Sequence, residues 1–186
     1  DVHLTRKIIP EKILSEIAHT PKGLFMFKTD SRKQFHPYEI LNYTNNHTLI
    51  VPLKRTATGT HKLLDQHGYN LTNTHFIDML SKHIGSGLEH KNTTHIQNIS
   101  LKELAGEIER KIKDFGPGPK TLFIDDAHTL IPHHGVIKTL RFMDYISRSM
   151  ASNFTKTIIL ANNKKLPKEI SKFLFTRCDE VIEMPE

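Results

Sequence analysis

The sequence predicts an α/β domain built in three layers: a mostly parallel central sheet with helices on both faces. Two observations carry that expectation. Short, nearly continuous apolar runs recur along the chain, as expected of strands buried on both sides. Between them lie longer stretches with apolar residues at helical spacing, the alternation that builds parallel sheets through crossover connections. At 186 residues and 37% hydrophobic content the chain can bury one sizeable core, which fits a single main domain. We expect residues 1–22 to form an N-terminal helical extension and residues 23–186 to form that domain.

Taken in order, "GLFMFKT" (23–29) reads as the first strand and "PYEILNYTNN" (37–46) as a helix with Pro37 in its first turn. "HTLIVPL" (47–53) is the next strand, and the helix through "GTHKLLDQH" should stop at Gly68. "HFIDMLS" (75–81) and "THIQNI" (94–99) are further strand candidates. The clearest helix follows: Ser100 is a good N-cap with Glu103 three residues on, and Leu101, Leu104, Ile108 and Ile112 recur at helical spacing. "FGPGPK" breaks it and delivers the chain into a strand at 120–126. A helix over 136–151, a strand over 156–163, a helix from about Pro167 to Phe175 and a strand over 180–185 complete the pattern. Ligands of such sheets sit at the carboxyl ends of the strands, where Asp125, Asp126 and Asn162 are expected.

Composition narrows the function classes. Lys and Arg number 26 against 20 Asp and Glu, a formal net charge of +6, with the cations scattered rather than gathered in one block. That balance admits nucleic acid or another acidic partner. Cys178 stands alone, which excludes an intramolecular disulfide and a Cys-based zinc site and fits a reducing cytoplasm. No apolar run approaches the length needed to span a bilayer, so no membrane insertion is expected. Six N-x-S/T triplets arise freely in a chain rich in Asn and Thr, and without a signal segment they do not outweigh a cytoplasmic location.

The segment "KTLFIDDAHTLI" (120–131) draws most notice, because a buried strand ending in carboxylates is how many nucleotide hydrolases hold Mg²⁺ beside a phosphate. The same region, "DDAHTLIPHH", gathers Asp125, Asp126, His128, His133 and His134, so a metal-dependent hydrolase competes. The spacing matches no standard ligand pattern, and Pro132 to Gly135 reads as an exposed loop.

The succession "NHTLIVPLKRTATGTHKLLDQHGYNLTNTHFIDMLS", "NISLKELAGEIERKIKDFGPGPKTLFIDDAHTLI", "VIKTLRFMDYISRSM" and "CDEVIEMP" resembles the RecA-type ATPase domains of the KaiC-like family common in archaea. The resemblance is one of architecture and loose motif, and it covers nearly the whole chain from about Gly23. It implies a RecA-like fold of the P-loop NTPase type. It also implies a phosphate-binding loop after the first strand, a pair of catalytic glutamates after the second and a metal-binding Asp at the end of a later strand. Asp125 matches that last acid as a Mg²⁺ ligand, with Asp126 beside it in a remnant nucleotide site. The tail "TIILANNKKLPKEISKFLFTRCDEVIEMPE" resembles the polar strand end and arginine segment of AAA-type ATPases, which would make Asn162 a water-orienting residue and Arg177 an arginine finger.

Other positions depart from that pattern. No glycine lies between Gly23 and Gly59, so the stretch after the first strand cannot form a glycine-rich nest of amides for phosphate, and Asp30 adds negative charge there. Neither "TATGTHK" (56–62) nor "GPGPKT" (116–121) has the spacing or placement to replace it. Lys54 and Arg55 stand where the glutamates should follow the second strand, and a cation cannot take a proton from water. The expectation is therefore a degenerate ATPase scaffold with no cofactor, a pseudoenzyme acting through a protein partner or as a homo- or hetero-oligomer. The alternatives are an ATP- and Mg²⁺-dependent enzyme with an atypical phosphate site, and a DNA-associated accessory protein.

Overall fold

A computed structural model of the chain describes residues 10–29, 35–81, 92–96, 100–162 and 164–184. The elements in chain order are α1 (Pro10–Ala18), β1 (Gly23–Thr29), a 3₁₀ helix (His36–Asn42), β2 (His47–Pro52), α2 (Ala57–Gln66), β3 (Thr74–Asp78) and β4 (Thr93–His95). They continue with α3 (Leu101–Asp114), β5 (Lys120–Asp125), a short 3₁₀ turn (Ala127–Leu130), α4 (Ile131–Ser152), β6 (Thr155–Asn162), α5 (Lys168–Arg177) and β7 (Glu180–Glu183). The strands form one sheet in the order β4-β3-β2-β5-β6-β1-β7. Every pairing in it is parallel.

Strand periodicity splits the core into two layers. Leu24 and Met26, Leu49 and Val51, Leu122 and Ile124, and Ile159 and Ala161 face one side, where they pack against Leu104, Ile108, Phe142, Ile146 and Leu174 of α3, α4 and α5. The alternate residues, Phe25, Phe27, Ile50, Phe123, Ile158 and Leu160, face the other side and meet Leu14 and Ile17 of α1, Tyr38 of the 3₁₀ helix and Leu64 of α2. The helices thus cover both faces, and the central strands need no polar side. All six residues of β5 are buried.

Helix boundaries follow local chemistry. The Thr56 hydroxyl accepts from the Gly59 amide at 3.0 Å to cap α2, and Gly68, at φ 77°, ends the helix in a left-handed conformation. Ser100 caps α3 through the Glu103 amide at 3.4 Å. The helix expected over 37–46 is instead a seven-residue 3₁₀ helix. Asn42 and Asn45 are drawn sideways: the Asn42 side chain accepts from the Asn70 amide, and the Asn45 carbonyl accepts from Asn73 Nδ2. Those bonds tie the segment's end to the loop before β3 and leave no room for further turns. The strand expected over 94–99 is confined to Thr93–His95, and 97–99 lie outside the described residues. Pro132, His133 and His134, expected in a loop, form a first helical turn of α4 that breaks at Gly135, where φ is 80°.

The N-terminal helix is built into the core. Leu14 and Ile17 are buried against Phe25 and Ile158 in the same layer. Lys156, fully buried in β6, donates from Nζ to the carbonyls of Ala18 at 2.8 Å and Thr20 at 3.1 Å, fixing the end of α1 and the turn beyond it. Burial without a carboxylate lowers the Lys156 pKa to about 8. Among the described residues no helix is long and apolar enough to cross a membrane.

Candidate functional site

In a parallel sheet the strands all end at the same edge, and here that edge brings together residues from four segments. Pro52 of β2 is level with Asp125 of β5, so Lys54 and Arg55, just beyond β2, lie beside the acidic pair. The Leu53 amide donates to the Asp125 carbonyl at 3.2 Å and locks that register past the strand ends. Asp126 turns the chain out of the sheet in the left-handed region, at φ 59° and ψ 52°, a conformation that Asp tolerates better than most residues. Its amide donates to the Leu160 carbonyl, and its own carbonyl accepts from the Thr129 amide and hydroxyl.

The decisive neighbour comes from the 3₁₀ helix. Tyr38, fully buried, donates its hydroxyl to Asp125 Oδ2 at 2.8 Å. Its ring lies 4.6 Å, centroid to centroid, from that of Phe123. Burial, with Asp125 and Asp126 close by, raises the Tyr38 pKa well above its ordinary value, so the phenol stays a donor. Asp125 itself is raised to about 7 by burial first and by the Asp126 charge second, against the opposing effects of the Tyr38 bond and of Arg55 and Lys54. Near neutral pH this carboxyl therefore spends much of its time neutral.

Asp126 is paired loosely on both sides, with Lys54 Nζ at 3.9 Å and His128 Nδ1 at 3.7 Å. His128 Nδ1 is buried and has no hydrogen-bond partner, and burial holds its pKa down while Asp126 pulls it up. Arg55 lies over the Phe35 ring at 5.0 Å, at the start of the 3₁₀ helix. The edge is thus an alternation of acids and cations closed on one side by an aromatic residue.

This set is poorly matched to a resident Mg²⁺. That ion needs several oxygens in octahedral order and is held chiefly through charged carboxylates and substrate phosphates. Asp125 offers a buried carboxyl already bonded to Tyr38 and close to half-neutralised, with the cations Lys54 and Arg55 beside it. Nor is a histidine metal centre assembled: among the described residues no group of three or more His, Cys, Asp or Glu side chains is placed to share an ion. His133 and His134 sit on the first turn of α4, with their rings 6.4 Å apart.

The remaining sequence-predicted residues are placed separately. Asn162 ends β6 at the same edge as Asp125, but its side-chain oxygen accepts from the Lys164 amide at 3.0 Å, a local turn contact. Arg177 lies at the opposite edge. It donates to Asp144 of α4, and two residues later Asp179 accepts from the Leu24 amide at the start of β1. Of the predicted set, the fold brings Asp125, Asp126 and Asn162 to one edge and leaves Arg177 at the other. Tyr38 was not singled out from the sequence. Its only local signal is Pro37, which favours a helical turn there, and a contact 87 residues away cannot be read from spacing.

No protein-family model matches the sequence, and no curated protein matches it either. Solved structures do match. An uncharacterized protein from Pyrococcus horikoshii, crystallised in complex with an unknown peptide, superposes with a TM-score of 0.70 at 12% identity, covering 94% of this chain and 82% of the other. A KaiC-like protein from the same archaeon gives 0.64 at 13% identity over 90% and 74% of the two chains. A third Pyrococcus horikoshii protein gives 0.62 at 16% identity over 96% and 89%. At these identities the likeness speaks to architecture: the chain has the three-layer αβα fold of RecA-type, KaiC-like proteins.

Proposed function

We propose that this chain is a non-catalytic RecA-like domain that works by binding other proteins, as a regulatory or scaffolding subunit. The observation that carries the reading is the Tyr38 to Asp125 bond at 2.8 Å. An ATPase of this architecture needs the acid at the end of that strand free to face a metal and phosphates. Here it is covered by an aromatic side chain of the same chain, and burial raises its pKa to about 7.

Two features add support. The segment between β1 and the 3₁₀ helix carries no glycine to turn successive amides toward a phosphate, and Lys54 and Arg55 occupy the place of a general base. A protein of the same fold has been crystallised with an unknown peptide, which accords with a binding role for this chain.

Calorimetry with ATP and Mg²⁺, paired with a phosphate-release assay on the wild type and Asp125→Ala, tests the reading. The expected result is no saturable binding at micromolar ATP and release at background in both proteins. A missing general base alone lowers the rate by on the order of 10²- to 10⁴-fold. Micromolar binding with turnover abolished by Asp125→Ala would overturn it in favour of an ATP-dependent enzyme with an atypical phosphate site.

A further inference from the structure

On the face of the sheet away from Tyr38, an open trough of about 780 Å³ lies between α3 and α4. Its walls run from Ser100 to Glu109 on α3 and from His134 to Tyr145 on α4. At a rise of 1.5 Å per residue the helical part of the α3 wall, Leu101 to Glu109, is roughly 12 Å, a little over two turns. We propose that this trough is a docking groove for an acidic, amphipathic helical segment of a partner protein. The proposal gives the binding role argued above a surface and a partner chemistry, and it rests on that reading.

Gly106 is the first argument. It sits in the interior of α3, where glycine costs about 1 kcal/mol relative to alanine. Nothing in the fold asks for it: its φ is not positive, and a Cβ built there would meet no atom within 4 Å. What the missing side chain does is keep the wall of the trough low beside Ala105. A helix is weakened for the sake of open space, and open space on a helix surface lets another backbone approach closely.

Charge is the second. Lys102, Lys138 and Arg141 line the trough and, among the described residues, none of them forms an ion pair. The acid in the lining, Glu109, has both oxygens engaged, one by the Tyr145 hydroxyl at 2.9 Å and the other by Ser149 at 2.8 Å. Three cations thus face a single carboxylate in the lining, which leaves the trough positive. The apolar side is supplied by Leu101 and Phe142 in the lining. Leu101 and Ala105 on α3 are four residues apart and Phe142 and Tyr145 on α4 three apart, and with the cations beside them they match a helix with an apolar stripe and acidic flanks. A second copy of the chain fits poorly, because the chain carries a net charge of +6.

The test selects displayed random 16-residue peptides against the whole chain, reads the enriched sequences and measures the strongest as a labelled synthetic peptide by fluorescence anisotropy. The wild type is compared with Gly106→Leu and with the double variant Lys138→Glu, Arg141→Glu. We expect enriched peptides to be acidic, with apolar residues at i, i+3 or i+4, and i+7. Gly106→Leu should weaken binding at least tenfold while its melting temperature stays level or rises, and the charge reversal should weaken it by at least as much. Enrichment of peptides without acidic excess, failure to enrich any, equal binding by Gly106→Leu, or a dimer in sedimentation that Gly106→Leu abolishes would each overturn the proposal. The two readings fail separately. ATP turnover removes the binding-protein reading whatever the groove does, whereas a groove without selectivity in a chain that ignores ATP removes only the groove.

Discussion

Asp125 makes the pH behaviour of a single carboxyl measurable. In the unfolded chain it titrates near 3.8, and in the fold burial and the Asp126 charge raise it to about 7. The folded state therefore holds a proton that the unfolded state releases between those values, so stability is full below about pH 4 and falls as pH rises through 7. A rise of that size corresponds to on the order of 4 kcal/mol. Asp125→Asn keeps the shape and an acceptor for the Tyr38 hydroxyl but cannot ionise. Urea melts from pH 4 to pH 8 should show the variant gaining on the wild type as pH rises, with the difference levelling off above 7. A difference that stays constant over that range would mean that Asp125 is charged in the fold.

Among the elements, α1 shows how one polar side chain can position a helix. Its apolar face, Leu14 and Ile17, joins the core layer, and Lys156 reaches across from β6 to the carbonyls of Ala18 and Thr20. The C-terminal carbonyls of a helix have no partner of their own and attract a cation. Lys156→Ala removes the donor, strands buried carbonyls and leaves a cavity, for a loss of roughly 2 to 4 kcal/mol. The loss should be local. Hydrogen exchange at Ile13 to Ala18 should accelerate at least tenfold while α4 exchanges as before. Uniform acceleration across the chain would show that the lysine supports the core as a whole.

For the whole molecule, sheet order predicts a gradient of protection. β5 and β6 are flanked by strands on both sides and covered by helices on both faces, so their amides open only with the global unfolding transition. β4 has three residues, none of them buried, and pairs on one side with β3. Native-state exchange should therefore release β4 first, and β5 and β6 last. Protection in β4 equal to that in β5 would indicate a further element covering the edge.

The sequence determined the layers of this protein, because continuous apolar runs such as Thr121 to Ile124 require burial on both sides and Ser100, Thr56 and Gly68 mark helix ends through bonds within a few residues. It also placed Asp125, Asp126 and Asn162 at one edge, since strand ends in a parallel sheet share an edge. Tertiary structure decided what surrounds them. Whether Asp125 faces a metal or a phenol depends on Tyr38, 87 residues away, and on a 3₁₀ helix shortened by bonds from Asn42 and Asn45 to a distant loop. Arg177 was sent to the opposite edge because parallel strands require α5 to run back across the sheet before β7 begins. Local periodicity fixes which residues are buried; only the folded chain fixes which of them meet.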